Sequence, residues 1–113
     1  MKLLNLTYLK EVVENNESSV RSIIDLFVKQ MPEEILLIEK AMEEQDYNAI
    51  KGVSHKLKSS VTILGVEELL KVLNALEENA GEKKDLSEIQ ELFLQLRELS
   101  NKLLEEINQQ FYQ

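Results

Sequence analysis

Very little in this 113-residue chain interrupts a helix. Pro32, Gly52, Gly65 and Gly81 are its only proline and glycine residues. Because hairpins and sheets depend on turns rich in such residues, this scarcity argues against a β protein. The aliphatic side chains instead recur every three or four residues, which is the spacing of one face of an α-helix. The chain is therefore predicted to be all-α.

The apolar periodicity divides the chain into five helical segments. They are predicted at residues 6–14, 18–45, 47–64, 66–79 and 86–110. Pro32 lies inside the second segment and removes a helical hydrogen bond, so we predict a kink or a brief break near residues 29–32.

The helix ends also carry sequence signals. Asp46 is a predicted N-cap of the third helix, and Asp85 is predicted to form a capping box with Glu88. Gly65 is predicted to adopt the left-handed conformation after the third helix, and Gly81 to lie in a loop. The polar tail, residues 109–113, is predicted to fray.

Four long segments joined by short connections each carry an apolar stripe. This pattern is typical of an antiparallel up-and-down four-helix bundle, with the short first helix covering one end. Residues 1–113 are expected to form a single domain, which is the natural size for this length. A monomer is expected because the stripe of the last helix is matched by the stripes of the others.

Composition excludes several classes of function. The chain has no cysteine and one histidine, so neither a thiolate metal site nor a multi-histidine site can form. A net charge of −8 argues against nucleic acid or an anionic membrane as partner. Neither a signal peptide nor a membrane-spanning stretch is visible, and a cytoplasmic location is expected. There is also no glycine-rich nucleotide loop.

The acidic average hides a basic segment. Residues 48–66 contain Lys51, Lys56 and Lys58 but no acidic residue, whereas the rest of the chain has a net charge of −11. His55 lies in the middle of this segment, roughly 160° from the apolar stripe of its helix. It is therefore predicted to face solvent, with the small residues Gly52 and Ser59 one turn away on either side.

The segment from His55 to Gly65, HKLKSSVTILG, resembles the signature of histidine-containing phosphotransfer (HPt) domains. In that signature a histidine is followed by any residue, leucine, lysine, a small pair, a spacer and glycine. Leu73, Leu76 and Glu77 are similar to the family's next helix. The resemblance extends over nearly the whole chain in helix order and length. Ser59 stands where the family usually has glycine, but it is still small.

The resemblance implies a phosphocarrier of two-component phosphorelays. His55 would accept a phosphoryl group from an aspartate of a response-regulator receiver domain and pass it to another receiver. Lys58 would stabilise the charge of the phosphoryl group, and Glu77 would orient His55 through the other ring nitrogen. A hybrid histidine kinase is a further expected partner. No cofactor of the chain itself is expected, since Mg²⁺ would come with the receiver.

A docking surface is predicted around His55. It comprises the cationic, small and apolar residues of the third helix and its end: Lys51, Gly52, Lys56, Ser59, Thr62, Ile63, Gly65 and Val66. Lys51 and Lys56 would steer the partner, and Ile63 and Val66 would form an apolar rim.

Two alternatives remain open at this stage. One is a helical adaptor that binds receivers without transferring phosphate. The other is a phosphoacceptor domain excised from a larger histidine kinase, although Met1 so close to the first helix favours a free-standing protein. A hydrolytic enzyme is disfavoured because no nucleophile and base are paired in the sequence.

Overall fold

A computed structural model describes residues 2–113, and these residues form five α-helices without a strand. The helices are α1 (Thr7–Val12), α2 (Glu17–Glu43), α3 (Tyr47–Ile63), α4 (Glu67–Gly81) and α5 (Leu86–Phe111). The all-α prediction is confirmed. Met1, on which the expectation of a free-standing chain rested, lies outside the described residues.

The four longer helices contact one another in a ring. α2 packs on α3, α3 on α4, α4 on α5, and α5 on α2. Between them lies a single apolar core, whose fully buried members include Ile24, Met31, Ile50, Leu73 and Leu96. Chain connections of three or four residues leave each helix beside the next. The side chains of α3 and α4 therefore meet along one seam between the two helices. The molecule measures 43 × 25 × 22 Å, about the length of α5.

Helix α2 continues through Pro32 without a break, which corrects the prediction of an interruption near residues 29–32. Pro32 is exposed, so its ring lies on the solvent side. Met31 and Ile38, on either side of it in the sequence, are both fully buried. This packing holds the helix together where one backbone hydrogen bond is lost, because tertiary burial supplies most of a helix's stability.

The caps largely follow the sequence. The carboxylate of Asp46 accepts a hydrogen bond from the Ala49 backbone N–H at 3.0 Å, as an N-cap of α3. Asp85 caps α5, but its side chain accepts from Ser87 rather than from the predicted partner Glu88. Gly81 is the last residue of α4 rather than a loop residue, because the helix runs two residues beyond the predicted end.

Gly65 ends α3 in the left-handed conformation, with φ of +65°, as predicted. Its N–H donates to the Thr62 carbonyl, and the Val66 N–H donates to the Val61 carbonyl. These two bonds form a Schellman motif. A methyl group at Gly65 would collide with the backbone of Asn5, so the N-terminal segment lies directly against this turn.

The C-terminus is more ordered than predicted. Helix α5 extends to Phe111, and the Tyr112 hydroxyl donates a hydrogen bond to the Asp25 carboxylate of α2. The guanidinium of Arg21 lies 4.5 Å from the centre of the Tyr112 ring and bonds Asp25 at 3.2 Å. The prediction that residues 109–113 fray is corrected for this reason: an aromatic side chain ties the tail to α2.

Candidate functional site

His55 lies in the middle of α3 with its side chain 73% exposed. The core side of the same helix is formed by Ile50, Ser54, Leu57 and Val61, all of which are buried. Helical geometry therefore turns the imidazole outward, as the sequence predicts. An exposed ring on a rigid helix is accessible to another macromolecule and has little freedom in its backbone.

Glu77 of α4 lies beside the ring. Its Oε2 is 2.9 Å and its Oε1 3.2 Å from Nδ1 of His55. The side chain of Glu77 is only 18% exposed, because the packing of α3 on α4 covers it. The structure thus brings together the two residues that the family resemblance paired, 22 positions apart in the sequence.

This contact assigns the protons of the imidazole. An ionised carboxylate only accepts hydrogen bonds, so Nδ1 carries the hydrogen and donates it to Glu77. In the neutral ring, Nε2 then holds the lone pair. Glu77 contacts Nδ1, so the nitrogen that holds the lone pair is the one that Glu77 does not engage.

Lys58 completes the cluster one turn further along α3. Its Nζ donates to Oε1 of Glu77 at 3.1 Å and to Oδ1 of Asn74 at 2.9 Å. Its side chain is 24% exposed, so the ammonium lies low in the seam between α3 and α4. Sequence reasoning missed Asn74, although its position one turn before Glu77 places it on the same face of α4.

The pKa of Glu77 reflects these neighbours. Partial burial favours the protonated carboxyl and acts to raise the pKa. The hydrogen bonds from His55 and Lys58, together with the positive charge of both groups, outweigh burial and hold the pKa below its ordinary value. Glu77 is therefore ionised at neutral pH and remains an acceptor for His55.

The lysines of the basic segment are largely paired. Lys58 binds Glu77, and Lys56 forms an ion pair with Glu34 of α2 at 3.0 Å. Lys51 runs along α4, with its side-chain carbons and Nζ within ordinary van der Waals distance of where a Cβ on Gly81 would be. The segment that is net positive in sequence is thus partly neutralised by acids from the two neighbouring helices.

The predicted docking residues fall into two groups. Gly52, Ser59, Thr62 and Ile63 are exposed on α3, and the space next to Gly52 is open. Val66 is only 1% exposed and belongs to the core, so its prediction as an apolar rim residue is corrected. It follows the turn at Gly65, which directs its side chain inward as α4 begins.

Besides its predicted left-handed conformation, Gly65 allows a close backbone approach that the sequence did not indicate. The close approach that it allows is to the backbone of Asn5, within the same chain. Its part in docking stays a prediction.

Residues 2–113 contain no cluster of three or more histidine, cysteine or carboxylate side chains that is able to hold a metal ion. No helix within this range combines the length and the apolar character needed to cross a membrane. The groups that the structure brings together at His55 are one imidazole, one carboxylate, one amide and one ammonium group.

The Hpt domain family model matches residues 22–110, which include most of α2 and all of α3 and α4. The chain therefore belongs to the Hpt domain family. No curated protein and no solved structure is a significant match. The matched range contains His55, Lys58 and Glu77, whereas α1 lies before it.

Membership of the family gives the function in general terms. Hpt domains carry out histidine phosphotransfer in two-component phosphorelays, where they exchange phosphoryl groups with receiver domains. They act as phosphocarriers in this exchange. The helical bundle seen here is the architecture of the family.

Proposed function

We propose that His55 is the phosphoacceptor of this domain. Its Nε2 attacks the phosphorus of an aspartyl phosphate on a docked receiver. The N–P bond forms as the P–O bond to the aspartate breaks, and the aspartate leaves as a carboxylate. In the second transfer a different receiver's aspartate attacks the same phosphorus, a P–O bond forms as the N–P bond breaks, and His55 leaves as the neutral ring.

The observation that carries this proposal is the hydrogen bond from Nδ1 to Glu77 at 2.9 Å. It leaves the lone pair on Nε2 and stabilises the proton on Nδ1 while positive charge develops in the ring. Since the rest of the ring is exposed, the nucleophile meets the partner without any rearrangement of the helix.

Lys58 is the proposed source of positive charge for the transferred group. Phosphoryl transfer depends on positioning and on stabilising charge at the equatorial oxygens. Lys58 is one turn from His55, and its ammonium is held by Asn74 and Glu77. A flexible lysine in such a position can exchange one of these acceptors for a phosphoryl oxygen.

The proposed docking surface is the exposed face of α3 around His55. It comprises Lys51, Gly52, Lys56, Ser59, Thr62 and Ile63. The open space at Gly52 and the 36% exposure of Ile63 support this assignment. Small residues allow close approach of the receiver, and an exposed isoleucine supplies apolar contact area.

Several finer features belong to the same proposal. The ring of helix contacts and the short connections support an antiparallel up-and-down bundle with α1 at one end. We further propose that the domain is a single unit, acts as a monomer in the cytoplasm, has no enzymatic turnover of its own and requires no resident cofactor. The Mg²⁺ of the reaction belongs to the receiver.

Labelling tests the proposal. A receiver domain charged with a small-molecule phosphodonor is mixed with the protein, and the label is followed on the wild type and on His55→Gln. The wild type is expected to gain an acid-labile, base-stable label that the variant lacks. Since His55 is the only histidine, phosphohistidine in the chain can have no other origin.

Label retained by His55→Gln contradicts the proposal. A receiver that binds the wild type tightly but leaves it unlabelled, after being shown to phosphorylate another Hpt domain, favours the adaptor alternative instead.

A further inference from the structure

Glu34 is the least expected carboxylate in the molecule. It lies on the core side of α2, at a position of the apolar stripe between Met31 and Ile38, and it is only 8% exposed. Burial of a charged group is unfavourable unless the group is paired, so an apolar residue would satisfy this position better. The presence of an acid there requires another explanation.

Its partner is Lys56, the residue that follows His55. Oε1 of Glu34 lies 3.0 Å from the Lys56 ammonium, and Oε2 is buried without a hydrogen-bond partner among residues 2–113. This ion pair is therefore the main compensation that the carboxylate has within the described part of the chain. The side chain of Lys56 is 73% exposed, so one member of the pair is anchored and the other faces solvent.

The pair lies at the docking surface. Lys56 is one residue from His55 and therefore about 100° further around α3, on the side where α2 packs. The ion pair holds the ammonium at the seam between α2 and α3 and so restricts the rotamers of Lys56. A long side chain that is already restrained loses less entropy when a partner engages it.

We propose that Glu34 is a positioning residue for receiver docking: its buried carboxylate anchors the ammonium of Lys56 beside His55, where the ammonium receives an anionic group of the docked receiver. This inference rests on the function proposed above. It concerns the encounter with the partner and not the transfer of the phosphoryl group, which depends on His55, Lys58 and Glu77. The two contributions are therefore separable by experiment.

The test uses a receiver that labels the wild-type protein. The rate of labelling is measured against receiver concentration for the wild type and for Glu34→Gln, with Glu33→Gln as the matched control. Glu33 is the exposed neighbour on the same helix and has no ion pair among the described residues. Thermal unfolding of each variant is recorded to establish that it is folded at the assay temperature.

E34Q is expected to raise the receiver concentration for half-maximal labelling by roughly two- to fivefold, with the maximal rate within about twofold of wild type. The difference is expected to shrink at high salt because the contact with the receiver is ionic. E33Q is expected to behave as the wild type. Lys56→Gln, which keeps Glu34 but removes its ion-pair partner, is expected to show the same concentration shift, and the double variant no larger one.

The proposal is overturned if E34Q leaves the half-maximal concentration unchanged while K56Q raises it, or if E34Q lowers only the maximal rate. It is equally overturned if E33Q produces the same shift as E34Q. Each of these outcomes leaves labelling of His55 intact and so differs from failure of the proposed function, in which no receiver labels the wild type at all.

Discussion

Glu77 and Glu106 are partly buried carboxylates, each of which accepts hydrogen bonds on both oxygens. Glu77 binds the side chains of His55 and Lys58. Glu106 binds the backbone N–H groups of Leu3 and Leu4, at 2.6 and 2.9 Å. The same chemical group thus supports a reactive ring in one case and fixes a chain segment in the other.

The donors explain the difference. The backbone N–H groups of Leu3 and Leu4 cannot turn to another acceptor without moving two side chains that are buried in the core. The ammonium of Lys58 has a second acceptor in Asn74, and the ring of His55 is mostly exposed. Substituting Glu106 is therefore expected to affect stability, whereas substituting Glu77 is expected to affect chemistry.

The largest expected effect concerns Glu77. Glu77→Gln preserves volume but removes the negative charge that stabilises the positive charge developing on the ring of His55 during transfer. A hydrogen bond to a charged group contributes about 1.5–3 kcal/mol, so the rate of phosphotransfer is expected to fall about 10- to 100-fold. Single-turnover labelling measures this rate at saturating receiver. Glu78→Gln, at the exposed next residue of α4, is the control and is expected to transfer at the wild-type rate.

Glu106→Ala is expected to reverse the pattern. It removes the acceptor of two backbone donors and lowers the free energy of unfolding by about 2 kcal/mol, while folded protein transfers phosphate normally. Urea denaturation gives the stability, with Glu105→Ala, at an exposed neighbouring position, as the control. A loss of phosphotransfer in folded Glu106→Ala would contradict the assignment of Glu106 to stability alone.

Two glycines also separate an effect on stability from an effect on receiver binding. Gly65→Ala places a methyl group against the Asn5 backbone in a left-handed residue, so a loss of at least about 1–2 kcal/mol in stability is expected.

Gly52→Ala meets open space and is expected to stabilise α3 by up to about 1 kcal/mol. Its added methyl group lies on the proposed docking surface, so the receiver concentration for half-maximal labelling is expected to rise. Denaturation and labelling curves measure the two effects.

The smallest effect concerns pH. The pKa of Glu77 is lowered in the folded protein from an ordinary value of 4.5, so its ionised form is favoured by folding. This contribution is fully present above that value and is lost as the pH falls through the folded pKa. The difference in urea midpoint between the wild type and Glu77→Gln is therefore expected to diminish as the pH falls below 4.5. A difference that stays undiminished as the pH falls further below 4.5 would contradict the assignment.

The helices and the outward direction of His55 were predictable because both depend on local periodicity. The core positions were less so: the buried residues of α3 include the polar Ser54, whereas its apolar neighbour Val53 is only half-buried. The burial of Glu34 was not predicted, because a charged residue is ordinarily expected on the solvent side of a helix. Its spacing from Met31 and Ile38 is nevertheless that of a core-facing position.

Long-range contacts set the limit of prediction. The two bonds from Leu3 and Leu4 to Glu106, and the contact of Asn5 with Gly65, join segments far apart in sequence and leave no periodic trace. The pairing of His55 with Glu77 came from family resemblance, because periodicity alone does not say which faces of two helices meet. Asn74 was recognised as part of the site only from the packing of α3 on α4.

The position of the phosphoryl group on the ring tests the proposed role of Glu77 most directly. The protein is prepared with ¹⁵N-labelled histidine, phosphorylated by a charged receiver and examined by ³¹P and ¹⁵N NMR spectroscopy, which distinguish the two ring nitrogens. A phosphoryl group on Nε2 of His55 is expected, with the hydrogen kept on Nδ1. A phosphoryl group on Nδ1, the nitrogen held by Glu77, would contradict the proposed role.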